Sequence, residues 1–210
     1  AQYLSYARPG SVMDIDIRVP QSGRQTTQAR AVGHVGDTEI LTVNAALGSR
    51  PLELSGHWAE RPDVPPPDEC PARGYRAEHA NTLMARMDQR LALGREMDEL
   101  DGTPTADGRC ALWVRMPELL EMSGAALAIL GDYVPFGIGQ ALGLRAGGNS
   151  LDNTLRLERL VPTDWVLLDV RVHAVAHGYG HGLVHLWAED GTLLATASQS
   201  TIVRFWEEPK

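Results

Sequence analysis

Lysine is almost missing. Lys210 is the only one in 210 residues, so nearly all of the positive charge is arginine. Arginine suits fixed pairing with phosphate or carboxylate, although codon usage accounts for such a bias equally well. Positive charge is scarce altogether. Nineteen Lys and Arg stand against 27 Asp and Glu, for a net charge of -8. That balance argues against a nucleic-acid partner, whose phosphates need a basic surface. Cysteine is scarce too: Cys70 and Cys110 have no metal-ligand spacing and suggest no disulfide framework. No metal site is expected, and a reducing cytoplasm is the default location. No signal peptide is read at the start and no apolar run is long enough to cross a bilayer, so no membrane partner is expected. The nucleophile motif Gly-x-Ser-x-Gly does not occur. What is left is 43% apolar and 22% charged residues, ordinary for a globular chain with room for one large domain or two small ones.

The stretch that organises the chain is Leu119 to Leu130, followed at once by Gly131-Asp132. Its residues are good helix formers and its apolar side chains fall on almost every face, which predicts a helix buried on all sides. Gly124, Ala125, Ala126 and Ala128 would let a surrounding sheet approach closely. Pro135 cannot donate the next helical hydrogen bond, so Asp132 is expected at or near a break in a buried helix. A charge there is costly unless something hydrogen-bonds it.

Around this stretch the pattern is mostly strand. Met13, Ile15, Ile17 and Val19 alternate with Asp14, Asp16 and Arg18, which predicts a half-buried strand. Further strands are expected over 27–35, 39–47, 86–97, 109–116, 165–176, 183–188 and 192–205. The segment 149–159 opens at Asn149-Ser150. Gly36-Asp37 is a hairpin signal, and Arg61 to Pro67 is too rich in proline for helix or inner strand. Glu78 to Met84 is read as a short helix. The two ends resemble each other. Ile15-Asp16-Ile17-Arg18-Val19 reappears as Leu168-Asp169-Val170-Arg171-Val172, and Gly36 to Thr42 reappears as Asp190 to Thr196. Both matches in register make duplication the better reading. The chain then holds two copies of a sheet meant to wrap a helix, and only the second shows its helix.

Three polar residues of the second copy stand out: Asp132, Ser150 and Gln199. Each alone has a plain explanation, as a cap, a turn residue or a solvated strand residue. Gln199 aligns with Ala45 of the first copy, so one active site per chain is expected. His173, His177, His181 and His185 recur every fourth residue, which on a helix would make a zinc-like face. The glycines between them argue against a helix. On two strands joined by a glycine loop they would not converge, and solvated strand histidines are expected. Gly178-Tyr179-Gly180-His181-Gly182 lacks the strand-to-helix context of a phosphate cradle and is read as a loop or bulge.

These residues together resemble the type II acyl-CoA thioesterases. Tyr6-Ala7-Arg8-Pro9-Gly10 is similar to that family's aromatic-x-Arg-Pro-Gly strand end, and Trp58 to Pro67 to its proline-rich loop. Ser150-Leu151-Asp152-Asn153 is similar to its Ser/Thr-Leu/Ile-Asp-His motif. Asp190 to Gln199, ending in Arg204, is similar to its closing strand. The resemblance implies an α+β double-hotdog fold, two antiparallel sheets each meant to wrap a central helix, the first lacking its helix here. It implies an N-terminal hotdog over 1–70, a linker over 71–85 and a C-terminal hotdog over 86–210 carrying the site. It also implies hydrolysis of acyl-CoA by a water held by Asp132, Ser150 and Gln199, with no cofactor, in a homo-oligomer.

This chain departs from the family pattern in three places. Ser200-Thr201 follow Gln199 where the family has Glu-Gly. Asn153 stands for His, and His181 for an Arg. With no helix for the first sheet to wrap, the expectation is that the sequence is a piece of a longer one; the alternative is another chain covering that face. Two other functions compete. Gly131 to Gly137 is similar to the Gly-Asp-x-Asn-Pro-x-His signature of hotdog hydratases, but Val134 and Gly137 replace its Asn and His. A non-catalytic acyl-CoA-binding hotdog is the other.

Overall fold

The computed structural model describes residues 1–74, 82–117 and 122–206. They fall into two compact units, Ala1–His57 and Trp58–Lys210.

The first unit is a four-stranded antiparallel sheet built from β1 (Gln2–Tyr3), β2 (Asp14–Ser22), β3 (Thr26–Val35) and β4 (Thr38–Gly48), in the order β1-β4-β3-β2. Its strands follow the alternating pattern, and Gly36 takes the positive φ of 59° that the β3–β4 turn requires. One face gathers Ile15, Ile17, Ala31, Val43 and Ala45, paired across the strands. No helix covers it. Ile15, Ile17 and Val19 are 58%, 69% and 54% exposed, which corrects the expected half-burial of β2. The period-two pattern sets which face is apolar, but burial needs a partner, and Ala1–His57 contains no helix.

The second unit supplies one. Its sheet has β5 (Asp88–Leu93), β6 (Arg109–Arg115), β9 (Val166–Ala176), β10 (Tyr179–Ala188), β11 (Leu193–Phe205) and β7 (Ala146–Ser150), in the order β5-β6-β9-β10-β11-β7. The short β8 (Thr154–Leu157) also pairs with β11. Two helical pieces lie against one face, α1 (Gly124–Leu130) and α2 (Val134–Leu142). Ala126, Leu127, Leu130, Val134 and Ile138 pack there on Leu112, Val114, Leu168, Val170, Val184 and Leu186.

The helix breaks at Asp132 as expected, between α1 and α2. Residues 119–121 lie outside the described residues, and two expectations need correction. Ala125 and Ala128 are exposed, because the sheet wraps one side of α1 rather than all of it. And Pro135 does not end the helix: it sits in the first turn of α2, where its missing N–H has no partner to lose. Taken together, Gly124–Leu142 is 19 residues with mean hydropathy 1.3, long and apolar enough by length and composition to cross a membrane. Most of it is buried inside this protein.

The opposite face of the sheet has its own cover. Ala111, Trp113, Leu167, Trp187 and Leu193 pack with Ala59, Val64 and Cys70 of the proline-rich segment, and Trp113 Nε1 donates to Pro65 O at 2.9 Å. The helix expected over 78–84 lies mainly outside the described residues; a 3-10 turn occupies Leu83–Arg86.

The glycine-rich stretch is a bulge rather than a loop: the pairing of β9 and β10 shifts register between His181 and Gly182. His177 and Gly178 alone form the β9–β10 turn, at φ 53° and 80°. Gly180 and Gly182 lie inside β10. A Cβ on Gly180 would strike Ile138 of α2, and one on Gly182 would strike the Arg171 carbonyl. Glycine marks close approach here rather than a turn.

The repeat is visible in the pairing. Gly33↔Leu41 followed by His34↔Glu39 is a bulge in the first unit. Leu186↔Ala195 followed by Trp187↔Leu193 is the same bulge in the second. Gln2↔Thr42 and Tyr3↔Leu41 correspond to Arg156↔Thr196 and Leu157↔Ala195, so β1 answers to β8.

Candidate active site

Gly131 closes α1 by donating its N–H to Leu127 O at 2.8 Å, and the Asp132 N–H reaches back to Ile129 O at 3.2 Å. The chain then turns at Tyr133, the N-cap of α2. Asp132 stands at the junction, beside the amino end of α2, where the helix dipole favours negative charge.

Two strand residues reach it. Gln199, on β11, is 2% exposed. Its Oε1 accepts from the Val134 N–H at 3.2 Å, and its Nε2 donates to Ser150 Oγ at 2.7 Å and to Asp132 Oδ1. Ser150, the last residue of β7, donates from Oγ to Asp132 Oδ1 at 3.0 Å. The three residues singled out in the sequence therefore share one hydrogen-bonded cluster. The Val134 N–H sets which way the amide of Gln199 lies, and both its amide hydrogens are then engaged. The Val134 N–H is a backbone group and carries no sequence signal. Both donors converge on Oδ1. Among the described residues Asp132 Oδ2 has no hydrogen-bond partner.

Asp132 as a residue is exposed, but its carboxylate sits in a crowded recess. Desolvation pushes its pKa above the usual carboxylate range, and the hydrogen bonds from Gln199 and Ser150 pull against that rise. A carboxylate with one free oxygen and a raised pKa is suited to accept a proton from water.

The site lies at an interruption in the sheet. β7 pairs with β11 over residues 201–205 and β8 over 195–198. Gln199 and Ser200 fall between them. There Leu151 N–H donates to Ser200 O at 2.9 Å, and Ser200 N–H donates to Asp152 Oδ1 at 3.0 Å.

A cavity of about 690 Å³ opens in the same unit. Met122, Leu130, Val161 and Val166 give it an apolar wall, and Arg115 and Asp164 add charge. Leu130 ends α1 two residues ahead of Asp132.

His173, His177 and His181 are exposed, as expected of solvated strand residues, and only His185 is half-buried. The register shift between His181 and Gly182 brings His173 and His181 edge to face, ring centroids 5.8 Å apart. His185 Nδ1 lies 3.9 Å from Asp169 Oδ2, with its pKa lowered by burial and then by Arg171. Among the described residues no group of three or more His, Cys, Asp or Glu could hold a metal ion.

Residues 67–203 match the family model described as the acyl-CoA thioesterase C-terminal domain. No curated protein matches the chain. Among solved structures, the chain is similar to a candidate thioesterase from Novosphingobium aromaticivorans DSM 12444, with 34% identity and a TM-score of 0.83, over 96% of this chain and 76% of that one. A hotdog-fold protein of unknown function from Alicyclobacillus acidocaldarius is 25% identical with a TM-score of 0.78, over 90% and 72%. An acyl-CoA thioesterase II from Mycobacterium marinum is 20% identical with a TM-score of 0.75, over 100% and 80%; at that identity the likeness speaks for the fold.

Proposed function

The chain belongs to the acyl-CoA thioesterase family and is a thioester hydrolase, and we propose that it cleaves fatty acyl-CoA to free acid and CoA with Asp132 as general base. The observation that carries this is the convergence of Ser150 Oγ and Gln199 Nε2 on one oxygen of Asp132. With Oδ1 held, Oδ2 takes a proton from water as the water oxygen attacks the thioester carbonyl. The tetrahedral intermediate collapses with loss of the C–S bond, and the proton on Asp132 passes to the departing CoA sulfur. No cofactor enters.

Ser150 and Gln199 hold the carboxylate in one orientation. The Ser150 hydroxyl, its proton directed to Asp132, keeps a lone pair for the water. The acyl chain is assigned to the cavity walled by Met122, Leu130, Val161 and Val166, which Leu130 alone links to the site: Asp132, Ser150 and Gln199 do not line it. The proposal includes a cytoplasmic location, in keeping with the free thiols Cys70 and Cys110. It also includes a homo-oligomer, which the family resemblance implies. The hydratase alternative has no room. A Cβ on Gly137 would stand 2.6 Å from Val170 Cγ1, so no imidazole fits where that signature puts its His.

The test is incubation of the purified chain with acyl-CoA and with enoyl-CoA. Free thiol released from acyl-CoA, abolished by Asp132→Asn, supports the reading. Loss of enoyl absorbance without thiol release, or binding without turnover, ends it.

A further inference from the structure

Ser150 is the member of the cluster that ends a strand, followed by the backbone bond from Leu151 N–H to Ser200 O. Asp132 is fixed by the helix junction and Gln199 by the centre of β11, whereas Ser150 lies at the edge of the sheet, where the β7 ladder to β11 ends. A hydroxyl there drifts with its backbone, and a shift of about 1 Å at a reacting centre can cost on the order of a hundredfold in rate.

Two side chains flank that position, one on each side. Thr201, paired with Ser150 across the ladder, is fully buried. Its Oγ1 donates to Asn149 O at 2.9 Å, one residue before Ser150. The side chain lies so close over β7 that a Cβ on Gly148 would overlap Thr201 Oγ1. On the other side, Asp152 Oδ1 accepts from the Ser200 N–H at 3.0 Å. A carboxylate oxygen thus replaces the missing backbone acceptor at the point where β7 has ended and β8 has not begun. Both bonds run between the chain carrying Ser150 and β11, which carries Gln199.

We propose that Thr201 and Asp152 are positioning residues that clamp the chain on either side of Ser150 to β11 and so keep Ser150 Oγ in reach of Gln199 and Asp132. Neither touches a reacting atom. The proposal rests on the reading of Asp132 as the base. It makes the departure Ser200-Thr201 part of the machinery: the buried hydroxyl at 201 does a job that glycine could not.

The test compares Thr201→Val and Asp152→Ala, which remove the clamps, with Thr201→Ser and Asp152→Asn, which keep the donor and the acceptor. Acyl-CoA hydrolysis is measured over a pH series, with thermal unfolding alongside. Each disrupting variant should lose about tenfold in kcat with KM within about twofold. The acid limb of the pH profile should move to higher pH, because loosening Ser150 and Gln199 removes the hydrogen bonds that hold the Asp132 proton off. Serine and asparagine should restore both. A plain loss of stability would not move the acid limb. Disrupting variants with unchanged kcat and an unmoved limb, or conservative variants no better than they are, would overturn the proposal. If Thr201→Val does not fold, the Asp152 pair decides. Asp132→Asn is run beside them. If that variant still hydrolyses acyl-CoA, the reading of the base fails; if it is dead while the clamps prove silent, only the clamps fail.

Discussion

Asp16 and Asp169 occupy the same place in two copies of one strand, with an arginine two residues on in each. Their surroundings differ completely. Asp16 keeps 75% of its side chain exposed and, among the described residues, pairs only with His34, at 3.4 Å. Asp169 is wholly buried, held by Arg109 at 2.7 and 3.0 Å and by Arg171 at 2.8 and 3.1 Å. The sequence around each is nearly the same; the neighbour is not. β2 is the edge of its sheet, while β9 has β6 beside it to supply Arg109, and Arg171 also reaches Glu60 O at 3.2 Å. The same comparison holds at the site. Ala45 in the first copy corresponds to Gln199 in the second, and only the second has a helix junction to face.

The harshest way to erase that difference is Gln199→Ala, which gives the second copy the residue of the first. It should cost two to three orders of magnitude in kcat, on the scale of a lost polar group at a reacting centre, roughly 3 kcal/mol. Asp132→Asn should cost at least as much. Both should fold, as judged by unfolding curves, and thiol release measures the loss. Near-normal turnover would remove that residue from the mechanism.

Next comes the buried carboxylate. Asp169→Ala leaves two guanidiniums without their partner. It should destabilise the chain by about 3 kcal/mol, the low end for a broken buried pair, because the Arg109 and Arg171 side chains are 28% and 33% exposed. Asp16→Ala should change stability by less than about 0.5 kcal/mol. Equal effects in denaturant titrations would mean that the two copies are not distinguished by their neighbours.

A gentler probe is pH. Burial raises the pKa of Asp132, so activity should fall as pH drops through a value above the ordinary carboxylate figure of about 3.9. The sign for stability is the reverse. A raised carboxyl pKa means that the charged form is a cost to the folded chain at neutral pH, relieved as pH falls through that pKa. Asp132→Asn should therefore melt at or slightly above the parent temperature while being inactive. The smallest effect is expected at the cavity. Val161→Trp should lower kcat/KM for long acyl chains by about tenfold and leave short ones nearly untouched; equal losses for both would separate the cavity from the acyl chain.

Much of the fold was legible because strand patterning is local. The β2–β3–β4 meander and the β9–β10–β11 meander follow from alternation, from turn glycines and from the repeat. The three polar residues were legible only through their motifs, since 67 positions separate Asp132 from Gln199 and no periodicity spans that. What the sequence hid was tertiary. Pro135 has one effect inside a helix and another in its first turn, and its neighbours alone do not say which applies. Gly180 and Gly182 look like a turn until Ile138 and the Arg171 carbonyl are seen to need the space. The exposure of Ile15 and Ile17 contradicts the alternation of β2 taken alone but agrees with the absence of a helix from the first copy, which the repeat had already shown.

The helix break has one more consequence. Seven and nine residues are too few for either piece to persist alone in water, so each exists only while the surrounding strands embrace it. The carboxylate between them acquires its direction from that embrace. Thioester cleavage should therefore vanish as soon as the wrapping loosens, before the chain as a whole comes apart, and turnover becomes a sensitive gauge of how tightly the second sheet is closed.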